Sequence, residues 1–204
     1  MRIVRSPLHV GGDKNWVAIG KWDGLHIGHQ QLVRNLVKKA KDHSGQSVVI
    51  GFDRHPTALF NPGNEPLQLQ SIEERSVWLK ELGVDVYLVI PFTKQFASHP
   101  PEYFVNNILI NDLRTQDITI GYNFRFGNGR KGTPALLKRL CKPFGVGVHV
   151  IPPIYIDDEI VSSTLIRSYL ETGNIEKVQR LLGHRALLAE GHRKNQIEEL
   201  YQTI

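Results

Sequence analysis

Val17-Ala-Ile-Gly-Lys-Trp-Asp-Gly-Leu-His-Ile-Gly-His29 is the stretch that decides how this chain is read. An apolar run ends at Gly20, another glycine follows at Gly24, and His26 and His29 arrive three residues apart where a helix begins. Strand, glycine-bearing turn and helix, in that order, open a parallel α/β unit. The glycines let a ligand approach the backbone with no Cβ in the way. The helix start offers unpaired N–H groups and partial positive charge, which suit an anion. Imidazoles at the same place can donate to phosphoryl oxygens. The stretch therefore points to binding and transfer of a nucleotide phosphate.

Working outward, the alternation repeats. Val17–Gly20 reads as a short buried strand, and Gly28–Lys41 as a helix with Leu32, Val33, Leu36 and Val37 on one face. Ser47–Phe52 is a second strand, followed by a loop over Asp53–Leu69 rich in Pro, Gly and Asn. Ser71 and Glu74 make a capping box for a helix that ends at Gly83. Asp85–Ile90 is an apolar strand, and Pro101 starts a helix running to Leu113. Gln116–Tyr122 is a strand, Thr133-Pro134 caps a helix to about Cys141, and Gly147–Ile151 is the next strand. Helices over Thr164–Thr172 and Ile175–Leu182 follow, and a charged amphipathic one over Arg193–Tyr201 closes the chain. Five apolar strands alternating with helices predict a Rossmann-like α/β fold: a parallel sheet with helices on both faces and a helical C-terminal extension. Such sheets bind ligands beyond the carboxyl ends of their strands. The loops Lys21–His29, Asp53–Pro56 and Asn123–Lys131 all fall there.

Composition narrows the class. The 204 residues are 41% apolar and 22% charged, enough for one domain with a proper core. A helical tail over 186–204 is set apart from a domain over 1–185. An excess of 25 Lys+Arg over 20 Asp+Glu suits an anionic small molecule but is too diffuse to argue for nucleic acid. Cys141 is the only cysteine, so no intrachain disulfide or cysteine zinc site is expected. The first ten residues are too short and polar for a signal peptide, and no run approaches a membrane span. The expectation is a soluble protein of the reducing cytoplasm, acting on small molecules. Oligomeric state is not legible.

Each motif has a plainer alternative. A lone pair of histidines is more often a cap or surface pair than a catalytic one; strand, glycine and helix around His26 and His29 reverse that balance. No Glu lies between them, so this is not a zinc-protease helix. Asp23-Gly24 could simply be a turn. Ser162-Ser-Thr-Leu-Ile-Arg167 gathers hydroxyls and a fixed positive charge at a helix start, which can hold phosphate; by pattern alone it is a capped helix. Gly127-Asn-Gly-Arg-Lys-Gly132 matches a dinucleotide fingerprint only in its glycines, because no acidic residue ends a strand at the right distance beyond it. Its Arg130 and Lys131, with Arg125 just before, suit a phosphate-facing loop instead.

Gly20–His29 resembles the HxGH signature of the nucleotidyltransferase superfamily. Phe52-Asp-Arg-His-Pro56, Gly121-Tyr-Asn-Phe-Arg-Phe-Gly-Asn-Gly-Arg-Lys-Gly132 and Ser162–Arg167 look like three further motifs, in an order similar to the FAD synthetase (FMN adenylyltransferase) module of prokaryotic bifunctional riboflavin kinase/FMN adenylyltransferases. The resemblance implies transfer of AMP from ATP to FMN, giving FAD and pyrophosphate by direct in-line attack, with Mg²⁺ on the triphosphate and no protein metal ligand named. It implies catalytic roles for His26, His29 and Arg167. It implies ATP contacts from Gly20, Lys21, Trp22, Asp23, Gly24, Gly28, His55, Ser162, Ser163 and Thr164. For flavin or nucleotide contact it suggests Phe52, Pro56, Phe60, Phe104, Tyr122, Asn123, Phe124, Arg125 and Arg130. Trp22 stands where the family usually has Phe, a change of packing more than of chemistry. No kinase-barrel motif follows Gly183, so the expectation is either an adenylyltransferase without a kinase domain or a module cut from a longer protein. Two other readings stay open: an HxGH transferase acting on a different phosphate, and a non-catalytic flavin-binding module.

Overall fold

A computed structural model of the chain describes residues 1–184. The first strand is β1 (Arg2–Val4), followed by β2 (Asn15–Ile19), α1 (Ile27–Asp42), β3 (Gln46–Phe52) and α2 (Pro56–Phe60). Then come α3 (Ile72–Glu81), β4 (Val86–Ile90), α4 (Lys94–Ser98) and α5 (Pro101–Tyr103), which runs on as a π-helix over Phe104–Asp112. The chain continues through β5 (Thr115–Gly121), α6 (Pro134–Cys141), β6 (Gly147–Ile151) and a hairpin of β7 (Tyr155–Ile156) and β8 (Glu159–Ile160). It ends its described part in α7 (Ser163–Glu171) and α8 (Ile175–Leu182). The helix read over Arg193–Tyr201, and the tail over 186–204, lie outside the described residues.

The main sheet has six strands in the order β1-β4-β3-β2-β5-β6, all parallel. Both β2 and β4 are buried throughout, which explains their continuous apolar runs. Alternate residues serve opposite faces. Val17, Ile19, Val48, Ile50, Val86, Leu88, Ile118 and Ile120 pack under the π-helix and α6. Trp16, Ala18, Val49, Tyr87 and Val89 pack under α1 and α3, against Leu32, Val33, Leu36 and Leu79. Each of these buried aliphatic side chains contributes roughly 1.5–3 kcal/mol, so a charge at Leu36 would break the α1 layer. A third apolar cluster, with Val161, Ile166, Val178, Leu181 and Leu182, joins α7 and α8 to Leu69.

The predicted parallel α/β sheet is present, with four departures, one of them the β7–β8 hairpin after β6, a segment without an assignment from sequence. A sixth strand, β1, lies on the edge beside β4; three residues are too few to show a period. The helix read over Pro101–Leu113 becomes π-helical after Tyr103, with Leu113 N–H bonded to Ile108 O at 3.0 Å. Phe104, Val105, Ile108 and Leu109 remain on its buried face either way, so apolar spacing could not tell the two helices apart. Short helix α2 interrupts the segment read as loop, and α4 occupies a stretch that likewise has no assignment from sequence. Elsewhere the ends agree to within about two residues, the usual uncertainty of helix and strand boundaries.

Reading outward from β2, consecutive strands run to β3 and β4 on one side and to β5 and β6 on the other. The connection reverses direction between β2 and β5. A crevice opens beyond the carboxyl ends of strands at such a switch point, and the loops after β2, β3 and β5 meet there.

Candidate active site

The loop after β2 is bent tightly. Trp22 has φ +58° and Leu25 φ +36°, a region where non-glycine residues are uncommon and are held by their surroundings. Trp22 is completely buried, and its Nε1–H donates to Ile50 O at 2.7 Å. Gly20 makes room for it: a Cβ there would stand 3.0 Å from the indole ring. Asp23, also buried, ties the loop to four neighbours. Its Oδ1 accepts from the N–H groups of Leu69 at 2.9 Å and Gln70 at 3.3 Å, its Oδ2 pairs with Arg167, and its carbonyl accepts from Ser163 Oγ at 2.8 Å. Arg167 also donates from Nε to Leu67 O at 2.6 Å. Among the described residues, the backbone N–H groups of Lys21, Trp22, Asp23 and Gly24 have no acceptor. Free amides in a turn, next to a helix start, form an anion cradle.

His26 is the N-cap of α1, its Nδ1 facing the His29 N–H at 3.4 Å. The two imidazoles stack at 3.7 Å between centroids, 18° from parallel. Burial, and then the influence of His184, hold His26 down at about 4. Burial, then His26 and Arg75, hold His29 well below the ordinary histidine range. At neutral pH both rings are uncharged, each with one donor and one acceptor. His29 Nδ1 is buried with no partner among the described residues.

His55, on the loop after β3, caps α2 by accepting from Thr57 N–H at 3.2 Å, and its Nε2 lies 3.0 Å from Lys21 Nζ. Burial, then Lys21 and Arg167, bring His55 to about 4. Burial, then Arg130 and Arg167, lower Lys21, with Asp23 opposing them. Lys21, Arg130, Arg167 and His55 thus gather around one position, with Asp23 the acidic group acting on Lys21. Cations crowded together gain from an anion among them.

The other side of the crevice is aromatic. Phe52 ends β3 and meets Phe92 at 5.3 Å and Phe96 at 6.0 Å. Phe96 meets Phe104 at 6.3 Å, Phe104 meets Phe126 at 5.9 Å, and Phe126 stacks on Phe124 at 5.4 Å. Phe60 reaches Phe92 edge-on at 6.5 Å and is 65% exposed. The loop after β5 is fastened beneath this wall: Asn128 N–H donates to His99 O at 2.8 Å, and a Cβ on Gly127 would stand 2.7 Å from the Pro101 nitrogen. Phe126 and Gly132 pair with each other, so the Gly127–Gly132 loop closes on itself and α6 takes its cap from Thr133.

Of the residues singled out in the sequence, the structure gathers His26, His29, Lys21, Asp23, His55, Arg130, Ser163 and Arg167 at one end of the crevice. It places Phe52, Phe60, Phe104 and Phe124 at the other. Pro56 is the first residue of α2, and Gly28 lies against the His26 ring. Tyr122 and Asn123 are exposed beyond β5, and Arg125 donates to its neighbour's carbonyl, Phe124 O, at 3.0 Å. Ser162 spends its hydroxyl on Leu165 N–H at 3.1 Å, while the Thr164 side chain is exposed. Trp22 offers the crevice backbone only. Sequence reasoning did not single out Phe92, Phe96 or Phe126, nor Arg75, whose buried guanidinium donates to Lys21 O at 3.0 Å. Among the described residues no cluster of three His, Cys, Asp or Glu side chains could hold a metal, and no helix is long and apolar enough to cross a membrane.

Comparison with known proteins adds a family. A family model described as FAD synthetase matches residues 12–165. A bifunctional riboflavin kinase/FMN adenylyltransferase of Buchnera aphidicola is 37% identical over 168 residues, covering 82% of this chain and 54% of that protein. A FAD synthetase of Listeria monocytogenes is 36% identical over 169 residues, covering 82% of this chain and 68% of that one. A crystal structure described as a macrolide-efflux protein from Streptococcus pneumoniae superposes with a TM-score of 0.78 at 29% identity, over 90% of this chain and 61% of that one. The chain spans about half the length of the bifunctional relatives it matches.

Proposed function

Because the chain belongs to the FAD synthetase family, we propose that it is an FMN adenylyltransferase, joining the AMP of ATP to the phosphate of FMN. The observation that supports this most is one crevice with two unlike walls. Its histidine end carries free amides, neutral imidazoles and a group of cations, and its other end carries a continuous run of phenylalanine rings. A nucleotide triphosphate suits the first and an isoalloxazine ring the second.

In the proposed reaction an FMN phosphate oxygen attacks the α-phosphorus of ATP. A new P–O bond forms to FMN, the bond from the α-phosphorus to the bridging oxygen breaks, and its electron pair leaves with pyrophosphate. No side chain forms a covalent bond to substrate, so the protein works by placement and by stabilising charge. His26 and His29 donate to oxygens at the reacting phosphorus, and Ile27 and Gly28 add first-turn amides of α1. Arg167 is already fixed by Asp23 and Leu67 O, which aims its remaining Nη1 donors at the triphosphate. Lys21, His55, Arg130 and Thr164 hold the outer phosphates. Phe52 and Phe124 cover the flavin ring, backed by the buried Phe104 and Phe126, with Phe60 at its open side. Mg²⁺ enters as part of the Mg–ATP substrate, on phosphate oxygens and water; both Asp23 oxygens are already spoken for. The reading includes ATP and FMN as the partners, no nucleic acid, and work in the cytoplasm.

Purified protein incubated with ATP, Mg²⁺ and FMN should yield FAD and pyrophosphate, separated by chromatography. Absence of FAD across a range of pH and substrate concentration would refute the proposal.

A further inference from the structure

Arg75 is 5% exposed, yet among the described residues no carboxylate is paired with it. Its side chain folds back over the start of its own helix, α3. Nε donates to Ser71 O at 3.1 Å, Nη2 to Gln70 O at 3.2 Å, and Nη1 crosses to Lys21 O at 3.0 Å. All three acceptors are neutral. Arg167, on the far side of the same loop, is answered by Asp23. The loop after β2 is therefore gripped by two guanidinium groups, one neutralised and one not.

An unneutralised buried charge is costly; α3 begins beside it, where Glu73 and Glu74 in the first turn offset the positive end of the helix dipole without pairing with Arg75. The cost falls if an anion settles nearby. The grip also has a direction. In a trans peptide the carbonyl and the following N–H point opposite ways. Holding Lys21 O toward α3 turns the Trp22 N–H away from it.

We propose that Arg75 is a positioning residue for the phosphate end of the crevice: from behind the loop it fixes the Lys21 carbonyl, and with it the free amides, and its unpaired charge favours an anion in front of them. The identity of that anion as the triphosphate of ATP rests on the FMN adenylyltransferase reading; the binding of a polyphosphate does not. After burial and His26, the same charge adds to what keeps His29 uncharged. That ring is faced by His26 stacked on its own helix, by the edge of Trp22 at 5.3 Å, and by Arg75 from α3, while His184 acts on His26 from beyond α8.

The test uses Arg75→Gln, which keeps a planar donor without the charge, and Arg75→Lys, which keeps the charge without the fork. The first readout is binding of inorganic tripolyphosphate by calorimetry, which needs no adenylyl transfer. Arg75→Gln should weaken it about tenfold, the effect of one charge at roughly 10 Å in an effective dielectric near 20, whereas Arg75→Lys should stay within about threefold of the starting protein. The second readout is the His29 imidazole titration followed by NMR in the free protein. It should move to higher pH in Arg75→Gln and stay put in Arg75→Lys. Equal loss of binding in both variants with no movement of the titration means a plain structural brace and overturns the proposal. If Arg75→Gln does not fold, Arg75→Lys alone decides, and complete loss of tripolyphosphate binding in it overturns the role of charge. FAD formation with tripolyphosphate binding unchanged in Arg75→Gln sinks this inference and spares the assigned activity; charge-dependent binding without FAD formation does the reverse.

Discussion

Around His26 and His29 the side chains of the crevice are held by directional bonds, whereas around Phe104 they are held mainly by ring contacts. Asp23 receives two backbone N–H groups and a guanidinium, Arg75 donates to three carbonyls, and His26 caps a helix. Phe52, Phe92, Phe96, Phe104, Phe124 and Phe126 touch one another at 5.3–6.3 Å with no polar partner needed. The difference matches what each end must do. Developing charge is stabilised by donors that are already aimed, because aiming them during the reaction costs reorganisation. A flat apolar ring needs area and shape, which phenylalanines supply at about 0.5–1.5 kcal/mol per ring pair beyond burial.

The largest effect should come from breaking the histidine end. His29→Ala should lower kcat by about 10²–10³-fold, the usual cost of losing one aimed donor, with the KM for FMN nearly unchanged. Phe104→Ala should do the opposite. It should raise the KM for FMN several-fold with little change in kcat, and cost roughly 3–5 kcal/mol of stability, because Phe104 is 6% exposed within the core. Steady-state kinetics with urea unfolding on both variants separates the two. A kcat loss of the same size in both would mean that the walls do not divide the work.

The walls should also respond differently to acid. His26 and His55 titrate at about 4 in the folded chain against 6.5 ordinarily, and His29 is lowered as well. Between those values the unfolded chain binds protons that the folded chain refuses. Their contribution is complete above about pH 6.5 and drains away as pH falls toward 4. Unfolding free energy measured in urea should therefore decline by a few kcal/mol over that window. Phe104→Ala should move the whole curve down in parallel, while His26→Gln should flatten it. A curve of unchanged slope in His26→Gln would mean that His26 is not held neutral.

How much could be read beforehand follows the same division. The histidine end was legible because its signal is local: Gly20, Gly24, His26 and His29 fall within ten residues at a strand-to-helix turn. So was the sheet, since Val17–Ile19, Val48–Ile50 and Val86–Ile90 are unbroken apolar runs. The aromatic wall was only half legible. Phe52, Phe124 and Phe126 stood inside motifs, but Phe92 and Phe96 gain meaning only when loops after β3, β4 and β5 converge. Edge strand β1 depends on pairing of Arg2 with Val86, a partner far along the chain. Arg75 was hidden for another reason. Beside Glu73, Glu74, Lys80 and Glu81 it looks like one more charged residue of a solvated helix, and only its bond to Lys21 O shows that it points inward.

Trp22 supplies the smallest and most discriminating test. It lies between the walls, stands where phenylalanine was expected, and is completely buried with its N–H spent on Ile50 O. Trp22→Phe removes that bond, leaves the Ile50 carbonyl with the Gly20 N–H at 3.1 Å as its remaining donor and opens a small void. Those losses should together cost about 1–3 kcal/mol of stability. The strained backbone of the loop would still be pinned by Asp23 and Arg75, so kcat and both KM values should stay within about threefold, which is less than 1 kcal/mol. A tenfold rise in the KM for ATP at unchanged stability would instead show that the indole holds the loop's amides in place. The loop would then depend on packing as much as on hydrogen bonds, and the contrast between the two walls would narrow.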